Sequence, residues 1–522
     1  MCKNDLIVPC LLVDRLWQGF LLDKIMINLD EIVKEIKIMC NDSVDELAIK
    51  NVLHAKLTQL FSFKNIKFES TDNMEMPCPL SYYAFNFAPS GGNKNMSVRE
   101  VDRLLPFLTD IYKNFNLKRR EKLEQEQIIE LQNNTNKQDE KEIRKRQKAE
   151  MENMKDLFRN VKDATMAQVY NYFEIIEKEQ EGSLFLLNTE FLNYFEDAFS
   201  GKQANKEFLD MLFDLADGNF TGTDTVGRSR HEINGIGISL VFMSDYRLLL
   251  EQKNLTKAFK SWLARGMARR SFFYFSGKSN CYDDIKIYPY DKKQEAIEII
   301  KNYSGQIKRL FDVTPKDMVY HFSLEANKYI DEYHAKVNKR VSAFYKNTEF
   351  LDIDTEIKKL TIEHSTWKII KLAVLYHVLD NPTKPLVTVE DFQRAEQFFN
   401  EMLPCVDLMI NKQSMSDFDK LYSYLVRNVN CWVSRVTLRK ENFVQDKLFT
   451  KWLNEALVEV QNMANEHGLY LQDRISGKTN KCVEICLYDP KEYKFVVEEE
   501  TDKGTKGSLV KIDNSDRFVD EI

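Results

Sequence analysis

The sequence predicts an α/β fold that is built around a parallel sheet and is followed by helices and a small C-terminal unit. Two apolar runs, SLFLL at 183–187 and GIGISLVFMS at 235–244, are bounded by glycine or polar residues, which is typical of buried strands. Amphipathic helical patterns separate the runs, and strands spaced by helices form crossover units in a parallel sheet. From residue 416 onward, an order of three helices and a two-stranded hairpin predicts a winged helix.

Length and composition predict a globular protein of several domains. The chain has 522 residues, 43% of them hydrophobic, and only 17 glycines and 11 prolines, so it is expected to be rich in helix and to bury a large core. The patterns divide into five predicted regions. These are a helical N-terminal region (1–80), a core that carries a charged helical insert at 118–156 (81–290), a helical lid (291–412), a winged-helix-like domain (416–490) and a tail (491–522).

Charge and cysteine content limit the class of protein. There are 74 basic and 81 acidic residues, so any contact with nucleic acid has to be local. The nine cysteines contain no CxxC pair, which favours reduced thiols over a zinc site. The N-terminal run LIVPCLLV lacks a small-residue cleavage site, and no stretch approaches the ~20 apolar residues of a membrane span. We therefore expect a cytoplasmic protein without a signal peptide or a membrane partner.

The stretch YYAFNFAPSGGNKNMSVREVDRLL, from Tyr82 to Leu105, has the layout of a phosphate-binding loop. A strand-like run enters a small-residue loop that ends in a lysine, and an amphipathic helix follows. Such a loop needs glycines so that backbone N–H groups can point at phosphate oxygens, a lysine that reaches the terminal phosphates, and a magnesium ligand.

The loop matches the motif G-x-x-x-x-G-K-[ST] only in part. Its candidate nucleotide-binding residues are Ser90, Gly91, Gly92, Asn93, Lys94 and Asn95. Lys94 alone matches outright. Asn93 replaces glycine but tolerates a left-handed backbone, and the side-chain oxygen of Asn95 is a candidate metal ligand for Mg²⁺. An ordinary strand–turn–helix stays open as the alternative.

Two strand ends carry candidate catalytic groups. In many nucleotide sites an apolar strand ends in two acids, one that holds magnesium through water and one that activates the attacking water. The run SLFLLNTEF ends in Asn188, Thr189 and Glu190, so Glu190 is the candidate base and the first acid is absent. Ser244, at the end of the second run, is a candidate contact for a γ-phosphate. A surface glutamate at a strand end is the alternative for Glu190.

The segment SWLARGMARRSFFYF places arginines next to another apolar run. Arg269 and Arg270 are the candidate catalytic arginines, with Arg265 close by. An arginine in this place could reach across a subunit boundary and stabilise transition-state charge on a neighbour's phosphate. The alternative is a helix end with solvated arginines.

The insert at 118–156 is almost wholly charged or amide, with a thin apolar seam. This composition favours a solvated helical hairpin that is hinged near residues 133–136. A coiled-coil contact and a nucleic-acid arm are the alternatives.

From about Tyr82 to Leu403 the order of these motifs resembles the YfjI-like family of phage and plasmid primase-helicase-type P-loop ATPases. The points of likeness are APSGGNKN, the charged insert, KDATMAQVYNYFE with GSLFLLNTEF, LFDLADGNF, GISLVFMSD, GMARRSFFY, and KLAVLYHVLD with TVEDFQRAEQFF. The resemblance implies a RecA-like or AAA+-like P-loop core and ATP with Mg²⁺ as cofactors. It also implies a ring-shaped helicase in the cytoplasm of a bacterial host, with a primase as a candidate partner.

The same resemblance implies roles for single residues. Lys94 would hold the phosphates, Glu190 would be the acid of the second motif, and Arg269 or Arg270 would be the arginine finger. The sequence departs from the family pattern at Asn93, Asn95 and Thr189.

Two regions are candidates for contact with DNA. The loop GNFTGTDTVGRSRHEING, residues 218–235, carries Arg228 and Arg230 and could line a central pore. In the winged unit the candidate DNA-binding residues are Arg435, Arg439, Lys440 and Lys478. A flexible surface loop and a winged helix that binds protein are the alternatives.

Three functions are compatible with these features. The first is an ATP-dependent motor of phage or plasmid replication that acts on single-stranded or forked DNA as a homo-oligomer, with a hexamer as one expectation. The second is a nucleotide-binding scaffold or loader that does not hydrolyse ATP. The third is a replication initiator that recognises an origin duplex through the winged unit.

Overall fold

The chain, seen in a computed structural model, contains two compact units, Met1–Asn411 and Lys412–Ile522. A continuous hydrophobic core runs through the first unit from Ile27 to Ile410, and the second unit has a core of its own. The structure describes residues 27–69, 77–89, 94–133, 137–162, 164–220, 223–225, 228–276, 286–345, 351–411, 421–422, 424–426, 428–440, 449–466, 468–475, 482–501 and 504–511.

Helices make up most of the first unit. They are α1 (Leu29–Met39), α2 (Glu46–Ser62), α3 (Lys94–Leu104), α4 (Leu108–Asn133), α5 (Lys137–Asn153), α6 (Met166–Glu179), α7 (Phe191–Phe199), α8 (Gln203–Leu215), α9 (Arg247–Glu251), α10 (Lys253–Trp262), α11 (Ala268–Arg270), α12 (Tyr290–Val313), α13 (Leu324–Phe344), α14 (Ile353–Glu363), α15 (Ser365–Asp380) and α16 (Val389–Asn411). A π-helical turn, Leu263–Met267, joins α10 to α11.

The strands of the first unit are mostly short. They are β1 (Lys67–Phe68), β2 (Cys78–Pro79), β3 (Tyr82–Phe87), β4 (Leu184–Asn188), β5 (Thr223–Thr225), β6 (Arg228–Arg230), β7 (Ile238–Ser244), β8 (Ser271–Phe275), β9 (Val319–Phe322) and β10 (Leu386–Val387).

A parallel sheet with the strand order β4-β7-β3-β8 lies at the centre of this unit. Phe87 at the end of β3 is in register with Ser244 of β7 and with Phe275 of β8, so these three strands end level with one another. A single parallel bridge between Val161 and Leu186 continues the pairing beyond β4. The predicted α/β fold with a parallel sheet is confirmed, and β4 and β7 fall on the two predicted apolar runs.

Helices cover both faces of β3, which explains why all six of its residues are buried. On one face, the Asn51 amide of α2 donates a hydrogen bond of 2.7 Å to the Asn86 side chain. On the other face, the ring of Phe85 packs edge-on against Phe191 of α7 and Trp262 of α10. A strand that is buried on both faces needs a nearly continuous apolar sequence, and YYAFNF provides it.

The predicted helical N-terminal region shares the core of the sheet. Nearly every residue of α2 is buried, and α2 packs against β3, β7 and β8. His54 of α2 also forms a hydrogen bond of 2.9 Å with the Tyr376 hydroxyl of α15. The predicted boundaries near residues 80 and 290 therefore do not separate hydrophobic cores among the described residues.

The charged insert forms a helical hairpin, as predicted. Helices α4 and α5 are joined through amide hydrogen bonds in which Gln127 and Gln147 each donate to the main-chain oxygen of the other, at 3.2 and 3.0 Å. Arg120 forms an ion pair of 2.8 Å with Asp156 at the base of the hairpin. The connection at 134–136 lies outside the described residues.

A second, smaller sheet links the helices after residue 290 to the N-terminal part of the chain. Its order is β10-β9-β1-β2, with β9 parallel to both β1 and β10. The sequence predicts a helix start at Thr388 and Asp391, and this is confirmed because the Thr388 N–H donates 3.0 Å to the Asp391 carboxylate at the beginning of α16.

The second unit contains a three-stranded antiparallel sheet with the order β11-β13-β12. Its elements are β11 (Val433–Ser434), α17 (Arg435–Lys440), α18 (Phe449–Glu466), β12 (Tyr470–Ile475), β13 (Cys482–Tyr488), β14 (Tyr493–Thr501) and β15 (Gly504–Lys511). Within the region predicted as a tail, β14 and β15 pair as an antiparallel hairpin. The alternation of Tyr493, Phe495 and Val497 is typical of a strand and favours this pairing over an unpaired acidic segment.

The sequence predicts that the chain has no membrane span and that its cysteines are reduced. The structure bears on these two predictions only within the described residues. Across the described ranges, no helix combines the length and the apolar character needed to cross a bilayer. Among the described residues, Cys40, Cys78, Cys405, Cys431 and Cys486 are not joined in disulfide bonds. The apolar run LIVPCLLV lies within residues 1–26, outside the described residues.

Candidate functional site

Ala88, where the chain enters the predicted phosphate loop, lies at the carboxyl edge of the central sheet. The Ala88 N–H donates a hydrogen bond of 3.2 Å to the Ser244 carbonyl, which keeps the chain aligned with β7 for one residue beyond β3. Helix α3 then begins at Lys94, and Asn95 is exposed in its first turn. The predicted residues Ser90, Gly91, Gly92 and Asn93 lie outside the described residues, as does the side chain of Lys94.

Helix α3, which follows the predicted loop, is held by contacts with several other helices. It packs against α1, α2 and α12, while α2 contacts β3 directly. Ser97, Val98 and Val101 of α3 are buried in these contacts. The buried face of α3 therefore fixes the position of this helix, which begins at Lys94.

Glu190 reaches the same edge from β4. Its backbone N–H donates 2.8 Å to the Asn188 side chain, an arrangement that turns the chain sharply out of the strand and into α7. The Glu190 side chain is exposed and does not cap α7. Within the described part of the chain, no three His, Cys, Asp or Glu side chains are placed so that they could hold a metal ion.

Ser244 is buried at the end of β7 and takes part in a structural contact. Its hydroxyl oxygen accepts a hydrogen bond of 3.2 Å from the Leu192 N–H in the first turn of α7. This bond replaces the N-terminal cap that Glu190 does not supply. The next residue, Asp245, is paired with Arg247 at 2.6 Å. The predicted contact of Ser244 with a γ-phosphate stays a prediction.

The predicted arginines lie at the opposite edge of the sheet, where β8 begins. Arg270 forms an ion pair of 2.7 Å with Asp217, and Arg265 forms one of 3.2 Å with Asp210. Since β8 spans five residues, this edge is roughly 16 Å from the carboxyl edge. The structure does not bring Arg269 and Arg270 together with Lys94 and Glu190 in one chain.

Gly266 allows the arginines to pack closely against the π-helical turn. Its φ of +129° is a left-handed conformation that favours glycine. A Cβ at this position would lie 3.0 Å from a terminal nitrogen of Arg270 and 3.4 Å from Nε of Arg269. π-Helical turns inside α-helices are common at functional sites.

A cavity of about 710 Å³ opens at this amino edge, and sequence reasoning did not find it. Arg269 and Arg270 line it together with three lysines from distant parts of the chain. These lysines are Lys67, Lys368 and Lys371. The available sequence signal was the pair of lysines in STWKIIKLAVLYHVLD, three residues apart in an otherwise apolar helix.

Lys368 is the most buried cation of this cavity. It is 3% exposed, and its ammonium group donates one hydrogen bond of 2.9 Å to the Ala268 carbonyl. Burial lowers the pKa of Lys368 to about 7. Burial likewise lowers the pKa of Lys371, which donates 3.0 Å to the Ala216 carbonyl.

The predicted DNA loop at 218–235 contains a small hairpin. Strands β5 and β6 pair in antiparallel fashion, and a bridge between Phe220 and Ile233 closes their base. Arg228 and Arg230 are the first and last residues of β6, while their side chains are not among those described. The hairpin precedes β7 and so lies toward the amino edge of the sheet.

The candidate DNA-binding residues of the second unit are only partly described. Arg435 is half-buried at the start of α17, with its guanidinium 5.8 Å from the ring centre of Phe449. Arg439 is exposed, Lys440 is the last residue of α17, and Lys478 lies outside the described residues.

Comparison with known proteins assigns no family to the chain. No protein-family model matches it, and no curated protein matches it. Since a fold alone does not determine a function, the function has to be inferred from the chemistry and placement of the site.

Proposed function

We propose that this chain is an ATP-dependent motor of the YfjI-like type that acts on single-stranded or forked DNA as a homo-oligomer. One observation carries the proposal: the loop between Phe87 and Lys94 leaves a central parallel strand at the edge that also presents Glu190. In open α/β sheets, ligands bind where the connections of neighbouring strands run to opposite sides. The chain after β3 continues to the β4 side and the chain after β7 crosses to β8, so the loop occupies such a point.

The start of α3 supports binding of phosphate groups. The first N–H groups of a helix have no partners inside the helix and carry partial positive charge. A phosphate next to them would accept their hydrogen bonds, and Lys94 would add a full charge. These features fit a triphosphate despite the substitution at Asn93.

ATP with Mg²⁺ would supply the energy of phosphoryl transfer, while this chain would bind, orient and move protons. Asn95 fits a metal ligand because Mg²⁺ takes most of its ligands from phosphates and water and needs few protein oxygens. Glu190 is exposed on a backbone that Asn188 holds in place, so its carboxylate is available to accept a proton from an attacking water.

The placement of Arg269 and Arg270 supports an oligomer. At roughly 16 Å from the carboxyl edge, they are too far away to contact a phosphate in the loop of their own chain, whereas a neighbouring subunit could present them to it. The β5–β6 hairpin, with Arg228 and Arg230, supports contact with the phosphates of a DNA strand.

Nucleotide binding by the Lys94→Ala variant tests the proposal. We expect the wild-type chain to bind a fluorescent ATP analogue and the variant to bind at least about tenfold more weakly, because a charge-assisted contact to phosphate is lost. Lys113→Ala, which removes an exposed lysine of α4, is the matched control and should bind like wild type. Equal binding by all three proteins, or no binding by wild type, would refute a nucleotide site in this loop.

A second candidate, a nucleotide-binding scaffold, is favoured by one observation: Asn188 and Thr189 stand where a metal-holding acid would be. Steady-state ATP turnover with and without single-stranded DNA separates the two. DNA-stimulated turnover that Glu190→Gln abolishes without weakening nucleotide binding supports the motor. Tight binding with no turnover in wild type supports the scaffold.

A further inference from the structure

We propose that the cavity at the amino edge of the sheet binds a small phosphate-bearing anion, such as inorganic phosphate, pyrophosphate or the phosphate tail of a nucleotide. This site is separate from the loop at 88–93 and does not depend on nucleotide binding there. Its geometry gives Arg269 and Arg270 a ligand within their own chain, as an alternative to contact with a neighbouring subunit's phosphate.

The first argument is an excess of positive charge around the cavity. Its lining contains five cationic side chains and two carboxylates, Asp217 and Glu232. Arg270 is paired with Asp217, but Nε of Arg270 is buried without a hydrogen-bond partner among the described residues. The lining therefore carries donors and charge that its own acids do not satisfy.

The second argument is the buried ammonium group of Lys368. No ion pair with a carboxylate is found for it among the described residues, and its Nζ lies 5.8 Å from the ring centre of Phe272. A buried charge without a counter-ion is costly, whereas an anion in the cavity would offset the cost. An ammonium group has three donors, and the carbonyl of Ala268 uses one of them.

The third argument is that the cations act on one another. Burial is the main cause that lowers the pKa of His364 to about 4, and the nearby Arg269 and Lys368 lower it further. Burial also lowers the pKa of Arg269, with a further contribution from Arg270. A bound anion would offset the repulsion among these cations and would raise the pKa values of His364 and Arg269.

Size and donor type favour a phosphate group. A volume of about 710 Å³ is in the range of small-molecule sites, so it is large enough for a nucleotide and roomy for a single phosphate. Arginine forks suit tetrahedral oxyanions because they donate two parallel hydrogen bonds. Trp367 also lines the cavity.

Calorimetric titration of the full chain with pyrophosphate at pH 8 tests the proposal. We expect wild type to bind, and Lys368→Met and Arg269→Gln to bind at least about tenfold more weakly. The control Lys328→Met, which removes an exposed lysine of α13, should bind like wild type. Lys94→Ala, which removes only the lysine of the loop at 88–93, should keep the binding that Lys368→Met and Arg269→Gln weaken. Circular dichroism melts establish whether each variant is folded. Arg269→Gln changes a half-exposed position, so it still tests the proposal if Lys368→Met does not fold.

The number of protons taken up when the anion binds is a readout that a purely structural role of Lys368 would not change. At pH 8 Lys368 is largely neutral in the free protein, and an anion favours its charged form, so binding should take up protons. The other ionisable groups that face the cavity are His364, Lys67, Lys371, Arg269, Arg270, Asp217, Glu232, Cys78, Tyr82 and Tyr83. Titration in two buffers of different ionisation enthalpy should show uptake in wild type and reduced uptake in Lys368→Met.

Four results would overturn the proposal. Three concern pyrophosphate alone: no binding at millimolar concentration, equal binding by wild type and both cavity variants, and complete loss of binding in Lys94→Ala, which would place the anion in the loop at 88–93. Displacement of pyrophosphate by a single-stranded oligonucleotide would also overturn it, in favour of a nucleic-acid backbone as the ligand. Displacement by ADP but not by phosphate would support it and identify a nucleotide as the preferred source of the phosphate.

Discussion

Asp102→Ala is expected to lower the free energy of unfolding by about 3 to 5 kcal/mol, because it leaves a buried lysine without its counter-ion. The side chain of Lys56 in α2 is fully buried, and its ammonium group lies 3.1 Å from the Asp102 carboxylate of α3. The same carboxylate accepts a hydrogen bond from Arg159. The single carboxylate of Asp102 therefore balances the positive charges of both Lys56 and Arg159. Since the Asp102 side chain is 26% exposed, we expect the lower end of that range.

Urea unfolding at pH 7 measures this effect. Asp331→Ala, which removes an exposed aspartate of α13, is the matched control and should change stability by less than about 0.5 kcal/mol. The double variant Lys56→Met with Asp102→Ala should recover most of the loss, since it removes the buried charge together with its partner. If Asp102→Ala is no less stable than the control, Lys56 does not need the carboxylate.

Burial also lowers the pKa of Lys56 to about 8, with Asp102 opposing the shift and Arg159 adding to it. Removal of Asp102 should therefore lower this pKa further. The penalty of Asp102→Ala should therefore be larger at pH 7 than at pH 9, where Lys56 is largely neutral with or without the carboxylate. Unfolding curves at pH 7 and pH 9 provide the comparison.

The strands could be predicted from sequence because their signals are local. Runs such as SLFLL and GIGISLVFMS are apolar over their whole length, and only a strand covered on both faces needs that composition. The order of strands in the sheet is a different matter. It depends on which helices pass over which face, and no short segment encodes that information.

The central position of α2 was not evident from its sequence. The helix contains Asn51, His54, Lys56 and Gln59, which would normally mark an exposed face. Each of these side chains is buried, and its hydrogen-bond or ionic partners come from elsewhere in the chain, for instance Asn86 for Asn51 and Tyr376 for His54. Polar residues whose partners are distant in sequence cannot be distinguished from surface residues by periodicity.

The same difference, between signals that are local in sequence and contacts that form only in the folded chain, applies to the two candidate sites. Lys94 and Glu190 were found because each closes a local pattern of strand and turn. The amino-edge cavity was missed because its cations come from β1, α11 and α15 and meet only in the folded chain. Arg269 and Arg270 were identified as a pair, but their neighbour Lys368 lies about a hundred residues further along.

Lys368→Met is expected to stabilise the chain by about 2 to 4 kcal/mol at pH 6, because it replaces a buried unpaired ammonium group by an apolar side chain of similar length. The ordinary pKa of lysine is 10.5, and in the folded chain burial lowers that of Lys368 to about 7. Below pH 7 the lysine is charged in both states, so the folded state bears the full cost of the buried charge. Between pH 7 and pH 10.5 the unfolded chain holds one more proton than the folded chain at this site.

The stability of wild type should therefore gain from this site as the pH rises above 7, by at most about 1.4 kcal/mol per pH unit. The methionine variant lacks the titrating group, so its advantage over wild type should fall by up to about 3 kcal/mol between pH 7 and pH 9. Taking the difference between the two proteins removes the contributions of Lys56, Lys371 and the buried tyrosines, which titrate in both. A variant that is less stable than wild type at pH 6, or a difference that does not change with pH, would mean that Lys368 already has a counter-ion in the folded chain.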